Sequence, residues 1–471
     1  MSNLFNKSNI IVSCLVILII FQSFDFSYSI HSLIYTIAIG ALLNLLRNIS
    51  IRFILPELIG FITFLMYLVA PALMFDIGAK DYLHPNSSAY EILAVDPNIY
   101  YMYALPSTIL FYLAVTLSFK KYRNKNYILS AFEKIRQRYN IIKIVKIFIV
   151  ISFVSNVLSG KIDSLNFLFY LGSQLTTIVL ILSLLLKSKK TKKVIFIAVF
   201  VLLLTNVIST GMFSNLVFSF LFYGLFYVLI NNLSTRNKII LPVLASLFLI
   251  LLQTFKGDFR NESWSGNQNV DKTQIAINVV SNISNSFNAD FLKISSIPTL
   301  VRLNMAWHCS RVIKYVPNAE PYAYGSTIVN IFTSLIPRVL WPDKPELSGN
   351  LYLEKYGKYT PQEGTSMSIG QIGESYANFG FWGGIIFFGF YGYLVAYTLY
   401  YLIKKTKKGA LFLFFTPVIM YAMTKPEVIL SKSFNTAFKG IIFVYIIMFF
   451  VNRYCRKKAV KKNQTSDSIL Q

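Results

Sequence analysis

The chain has 471 residues, 55% of them hydrophobic and only 14% charged. Soluble domains run near 25% charged, so a water-soluble globular enzyme is excluded. The formal charge of +25 would suit nucleic acid or an anionic membrane surface, and the placement of the basic residues decides between them. Three cysteines (Cys14, Cys309, Cys455) and three histidines are too few and too scattered for a disulfide framework or a His-rich metal site.

Crossing a ~30 Å hydrocarbon core takes roughly 20 apolar residues. About twelve stretches qualify in chain order: 9–24, 30–46, 53–75, 99–119, 141–158, 165–186, 194–209, 212–230, 239–255, 379–403, 410–423 and 434–451. The first lacks a small-residue cleavage pattern ahead of a soluble domain and reads as a retained span. With the N-terminus inside, Lys and Arg collect on the cytoplasmic side. Lys7, Arg47, Arg52, Arg236, Lys238 and the basic residues of 120–146, 187–193, 404–408 and 453–462 make 29 of the 45, against two acids, Glu133 and Asp467. The rest of the chain is close to neutral, so the whole positive excess falls on one face, with both termini cytoplasmic. The basic groups then read as topological anchors against anionic headgroups of membrane lipids, and nucleic acid is not an expected partner. The expected fold is all-α and polytopic: an N-terminal bundle of about nine helices over 1–255, a large outer loop over 256–378, C-terminal helices over 379–451 and a basic cytoplasmic tail over 452–471.

No internal repeat is visible. The short outer loop 76–98 is acidic, and the long one dominates the outer face. Within the long loop, 273–316 has apolar residues at helical spacing (Ile275, Val279, Ile283, Phe287). Residues 327–336 read as a short apolar helix at the interface, stopped by Pro337.

The densest chemistry lies in 335–350, LIPRVLWPDKPELSGN. Pro337, Pro342 and Pro345 each fix φ and push the preceding residue to extended geometry, holding Arg338, Trp341, Asp343 and Lys344 in a stiff array. Arg grips phosphate oxygens in bidentate fashion and Lys adds a point charge. Trp offers a flat face to a sugar ring or an isoprenoid chain. The array suits a lipid-linked phosphate carrying sugars; an interfacial hairpin, with Trp341 in the aromatic belt and both cations snorkelling, is the blander reading.

IPRVLWPDKP, followed by IGQIGESYANFGFWGG (369–384) and preceded by YAYGS (322–326), resembles the Wzy-type O-antigen and oligosaccharide-repeat-unit polymerases of bacterial envelopes. Arg338 and Gly349 are separated by ten residues, similar to the Arg-x10-Gly pattern of some members; the same count from Arg302 or Arg311 does not land on glycine. The resemblance covers roughly 302–392. It implies a GT-C-like bundle in the bacterial inner membrane that moves a growing glycan from undecaprenyl pyrophosphate onto an undecaprenyl-linked repeat unit at the outer face. A chain-length regulator is the protein partner it implies.

Such a transfer must neutralise charge developing on the pyrophosphate and take a proton from the acceptor hydroxyl. No Asp-x-Asp pair is present, so Arg338 and Lys344 are expected to supply the charge electrostatically, with no cofactor or metal. Arg302 and Arg311 are secondary phosphate candidates; Trp341, Asp343 and Gly349 complete the substrate side. Candidate bases are Glu374, at the head of a glycine-rich span, His308, between the two arginines, Asp343 and Glu363. His31 and His84 read as incidental, and Glu57 and Lys439 as isolated membrane-edge charges. Gly380 and Gly384 suggest close helix packing. Two alternatives stand beside the polymerase: a related ligase, and a flippase, for which repeat symmetry and broken helices would be the sign; neither sign is visible in the sequence.

Overall fold

The computed structural model describes residues 29–85, 90–159, 161, 166–210, 213–263, 281, 289–336, 341, 348–362 and 365–456. Among these every regular element is helical, and the extended chain makes only isolated bridges. The helices are α1 Ser29–Asn48, α2 Leu55–Asp76, α3 Pro97–Leu117, α4 Lys125–Arg138, α5 Ile141–Leu158, α6 Asn166–Ser173, α7 Leu175–Ser183, α8 Lys189–Thr210, α9 Ser214–Ile230 and α10 Thr235–Ser263. They continue as α11 Ala289–Leu303, α12 Ala306–Tyr315, α13 Ser326–Leu335, α14 Gly349–Gly357, α15 Gly370–Lys407 and α16 Leu430–Tyr454.

Seven of them are long and apolar enough to cross a membrane: α1, α2, α3, α5, α10, α15 and α16. The other expected spans take different forms. Stretch 9–24 lies outside the described residues. Stretch 165–186 is two short helices broken at Gln174, and 212–230 is a helix of 17 residues. Stretch 194–209 falls within α8, whose first turn carries Lys189, Lys190, Lys192 and Lys193.

The largest departure is 410–423, expected as a span. Here the chain runs through one 3-10 turn, Phe412–Phe415, one α turn, Thr416–Ile419, and irregular turns to α16. Leu411 through Met420 are all buried. Phe414 meets Phe132 and Phe226 at ring-centroid distances of 4.8 and 5.4 Å. Irregular backbone at this depth is tolerable only when wrapped in protein, and here it is. A broken segment invisible to hydropathy is therefore present.

The basic loops meet one another on one face. Arg52 bridges to Asn124, Lys125 Nζ donates to Asn232 Oδ1 at 2.7 Å, and Arg136 Nε donates to the Leu185 carbonyl at 2.9 Å. Lys407 Nζ reaches Ser130 Oγ at 2.6 Å, and Asn140 N–H donates to Cys455 O. Amphipathic α4 lies across this face, burying Ile128, Ala131, Phe132 and Ile135 against the bundle. The segments 91–96, 302–320, 348–369 and 424–430 gather at the opposite end through contacts described below. Two faces divided by chemistry are thus a property of the fold as well as of the charge pattern.

Glu57 is not the isolated edge charge the sequence suggested. It is buried against Arg123, Nη1 to Oε2 at 2.5 Å. Arg123 also donates to the Thr116 carbonyl, so the pair ties the start of α2 to the end of α3. Removing one partner of such a pair leaves an uncompensated buried charge, worth about 3–5 kcal/mol. Lys439 sits over the Phe167 ring at 4.5 Å.

Helix α2 contains a π turn, Leu65–Val69, immediately before Pro71. Ala70 N–H reaches back to Leu65 O, so Met66 O loses its helical donor, and Pro71 has no N–H to offer Met66 or Tyr67. The orphaned carbonyls are used by the rest of the fold: Met305 N–H donates to Met66 O at 3.1 Å, and Tyr100 OH to Tyr67 O at 2.7 Å. In this way α2 anchors the start of α12.

Candidate functional site

Helix α15 is two arms. At Gly380 the backbone turns to φ 68°, ψ −158°, a region open in practice only to glycine. The turn folds the arms together until a Cβ on Gly384 would stand 3.2 Å from the Ser375 carbonyl and 2.5 Å from Tyr103 Oη. The expectation of close packing holds at Gly384, Gly389 and Gly392, all pressed on α3; Gly380 has the different task of making the turn. The chain before α13 docks on it: Ala323 N–H and Tyr324 N–H donate to Ala377 O and Asn378 O.

Glu374, on the first arm, is fully buried. Thr327 Oγ1 donates to its Oε1 at 2.8 Å, and the Leu430 N–H to its Oε2 at 2.5 Å. Thr327 is in the first turn of α13 and Leu430 is the first residue of α16, so the carboxylate faces two helix N-termini, where the peptide dipoles favour negative charge. Asn378 completes the network, donating to Thr327 Oγ1 at 2.7 Å and accepting from Gly325 N–H at 3.0 Å. Both oxygens of Glu374 are therefore engaged in holding α13 and α16 together.

Helix α12 carries two of the predicted residues, His308 and Arg311, and Arg302 lies in the last turn of α11. Arg311 donates from Nε to Gly357 O at 2.7 Å and from Nη2 to Lys358 O at 2.9 Å. These carbonyls end α14, where cations are favoured. Its guanidinium lies over the rings of Trp307, Tyr315 and Tyr359 at 5.2–5.4 Å, and Glu91 Oε2 is 3.6 Å from Nη1. Arg311 is thus saturated by the protein, whereas Arg302 is half exposed and contacts Glu427 Oε1 at 2.9 Å. Burial, and after it the Arg302 charge, pull the His308 imidazole down to about 4, so it is neutral at pH 7 and a weak proton acceptor.

Arg338, Asp343, Lys344 and Glu363 lie outside the described residues; the two ends of the motif segment do not. Before it, α13 exposes Val329 and Phe332 (60% and 71%) and ends near exposed Ile336, an outward apolar stripe at helical spacing. Trp341 is also exposed. After it, Ser348 caps α14 and Gly349 is its first residue. A Cβ on Gly349 would stand 2.5 Å from Ser368 Cβ and 2.6 Å from Met367 O, so this glycine serves a close approach. Ser368 Oγ donates to Glu427 O at 2.5 Å, and Glu427 is the partner of Arg302. Gly349, just past the motif segment, is thus linked to Arg302 through three contacts.

Sequence reasoning missed Thr327, Asn378, Glu427 and Glu91. Each is an ordinary polar residue whose partner is distant in the chain, and only the Lys-Pro-Glu sequence at 425–427, proline-stiffened between two charges, hints at a built turn. His31, read as incidental, is buried and bonded through Nδ1 to Asp76 Oδ1 at 2.8 Å, with Tyr35 OH on Oδ2 at 2.5 Å.

Fold and site together define an all-helical protein with the apolar helices of a membrane protein and a structured polar cap at the end opposite its basic face. Residues 80–463 match the family described as Domain of unknown function (DUF8712), and the chain belongs to that family. No curated protein and no solved structure matches it.

Proposed function

We propose that the chain is a glycosyl-transferring polymerase acting on sugars linked to a polyprenyl pyrophosphate at the non-basic face of the membrane. The observation that supports this best is the pair of described ends that flank 337–347. On one side Val329, Phe332 and Ile336 form an exposed apolar stripe, and on the other Gly349 is linked through three contacts to half-exposed Arg302. A lipid carrier needs such an arrangement: an apolar approach for the tail and cations for the pyrophosphate. In this reading Arg338, Lys344 and Arg302 neutralise the leaving pyrophosphate, and Trp341 stacks on a sugar or isoprenoid. Glu374, with both oxygens engaged, positions the two helices beside the motif; Arg311 and Gly349 hold its base.

Surface and lipid-linked glycans of cells lacking the gene, resolved by length, test the reading. A ladder collapsing to single repeat units on the outer face supports polymerisation, and full-length glycan stranded on its carrier would replace it with a ligase. The largely buried broken segment 410–423 favours a second reading, transport of the lipid-linked sugar, since transporters build sites on such segments; single units trapped on the inner face would establish it. In a complemented strain, Arg338→Ala is expected to abolish the ladder with normal protein accumulation, and Arg338→Lys to restore little of it.

A further inference from the structure

On the lipid side of the bundle, α1, α2 and α3 enclose a groove of about 330 Å³ lined by Ile37, Gly40, Ala41, Asn44, Phe64, Ile109, Tyr112 and Leu113. Its wall is apolar except for Asn44, whose Nδ2 donates to Tyr112 Oη at 2.7 Å. Following the α1 stripe 37, 40, 44 by one further step of three leads to Arg47 at the basic face. Following the α3 stripe 109, 112 by a step of four leads to Thr116, whose carbonyl holds Arg123. The groove therefore points at a cluster of three arginines, Arg47, Arg52 and Arg123, with one carboxylate, Glu57, among them. Arg52 Nη1 and Arg123 Nε are buried without a hydrogen-bond partner, and Arg123 as a whole is only 2% exposed. Burial, and next the Arg123 charge, lower the Arg52 pKa, while Glu57 raises it.

We infer that this groove and arginine cluster form a binding site for an anionic phospholipid of the leaflet bordering the basic face, its acyl chain along α1 and α3 and its phosphodiester on Arg52 and Arg47. The two halves of the site match the two halves of the ligand. The apolar groove opens where a lipid tail lies, and the surplus of buried guanidinium donors sits at headgroup depth, where basic pockets between helices take phosphate. This inference is independent of the glycosyl-transfer reading.

The purified full-length chain in detergent, titrated with dioleoylphosphatidylglycerol or dioleoylphosphatidylcholine and followed by thermal unfolding, tests it. The anionic lipid is expected to stabilise with a midpoint about tenfold lower than the zwitterionic one, as a gain of ~1.4 kcal/mol implies. Arg52→Gln is expected to erase that preference, and Leu113→Trp, which fills the groove and leaves the arginines alone, to weaken both titrations. Leu113→Trp decides the matter if Arg52→Gln does not accumulate. Equal response to the two lipids, an undiminished preference in Arg52→Gln, or unchanged titrations in Leu113→Trp would each overturn the site. Inorganic phosphate matching the anionic lipid would overturn it in favour of a small-anion site. A wild-type chain that responds to neither lipid would overturn it in favour of a groove filled by another part of this chain.

Discussion

His308 and Arg311 lie three residues apart on one short helix, and their surroundings make them opposites. The His308 pKa, pulled to about 4 by burial and Arg302, lies below the unfolded value near 6.5. Its neutral form supplies stability that is fully present above pH 6.5 and is lost as pH falls toward 4, because the unfolded chain binds the proton first. The unfolding temperature of the purified protein is expected to drop by several degrees between pH 7 and pH 4.5, with a shallower slope in His308→Gln. An equal slope in that variant would place the pH dependence elsewhere. Arg311, by contrast, is bonded to the end of α14, and hydrogen bonds of charged groups contribute about 1.5–3 kcal/mol each. Arg311→Ala is expected to lower the unfolding temperature sharply, whereas Arg302→Ala, at a half-exposed position, should leave it nearly unchanged. Both arginines read as phosphate candidates in the sequence, because a basic residue's type says nothing of whether the fold has already used its donors.

At the scale of elements, two glycines decide where helices go. Gly380 sits at φ 68°, ψ −158°, and alanine there costs about 1–3 kcal/mol for a backbone conformation essentially restricted to glycine; its Cβ would also stand 3.1 Å from the Tyr322 ring. Gly349 has ordinary freedom but no room. Gly349→Ala is expected to push α14 off Ser368 and shift the motif segment with it. Under the proposed function it should lower glycan polymerisation several-fold while protein level and unfolding temperature change less than in Gly380→Ala. Matching losses in both measures would reduce Gly349 to a packing position. The Arg-x10-Gly spacing was readable along the chain; that its glycine is a close-packing contact against 367–368 became visible only when 349 and 368 were brought together.

For the whole molecule, cysteine labelling from either side checks the two-faced arrangement. In a cysteine-free background, Lys190→Cys and Lys408→Cys are expected to react from one face of sealed vesicles, and Glu354→Cys and Ala319→Cys from the other. Labelling of Lys190→Cys and Glu354→Cys from the same side would refute the division. Buried Cys309, whose thiol is pushed up by burial, should stay unreactive in the wild-type chain until it unfolds.

The long apolar helices and the common face of the basic loops were legible because each depends on local quantities. A run of some twenty apolar residues needs no partner to favour lipid, and each basic loop reports its side by itself. Hence seven long spans, helix α13 ending at Leu335 and the gathering of basic loops agree with the sequence. The irregular segment 410–423 has the apolar composition of a spanning helix, yet its backbone is broken where the rest of the protein buries Leu411 through Met420. The Glu57–Arg123 pair, the bonds of Arg311 and the network of Glu374 with Thr327 and Leu430 join residues 46 to 66 positions apart. No local pattern carries such partnerships, because a hydrogen bond or ion pair is decided by where two distant groups meet. By itself the sequence determined which segments favour lipid and which face carries the charge; the tertiary structure decided which polar groups are spent on the fold and which stay available to a ligand.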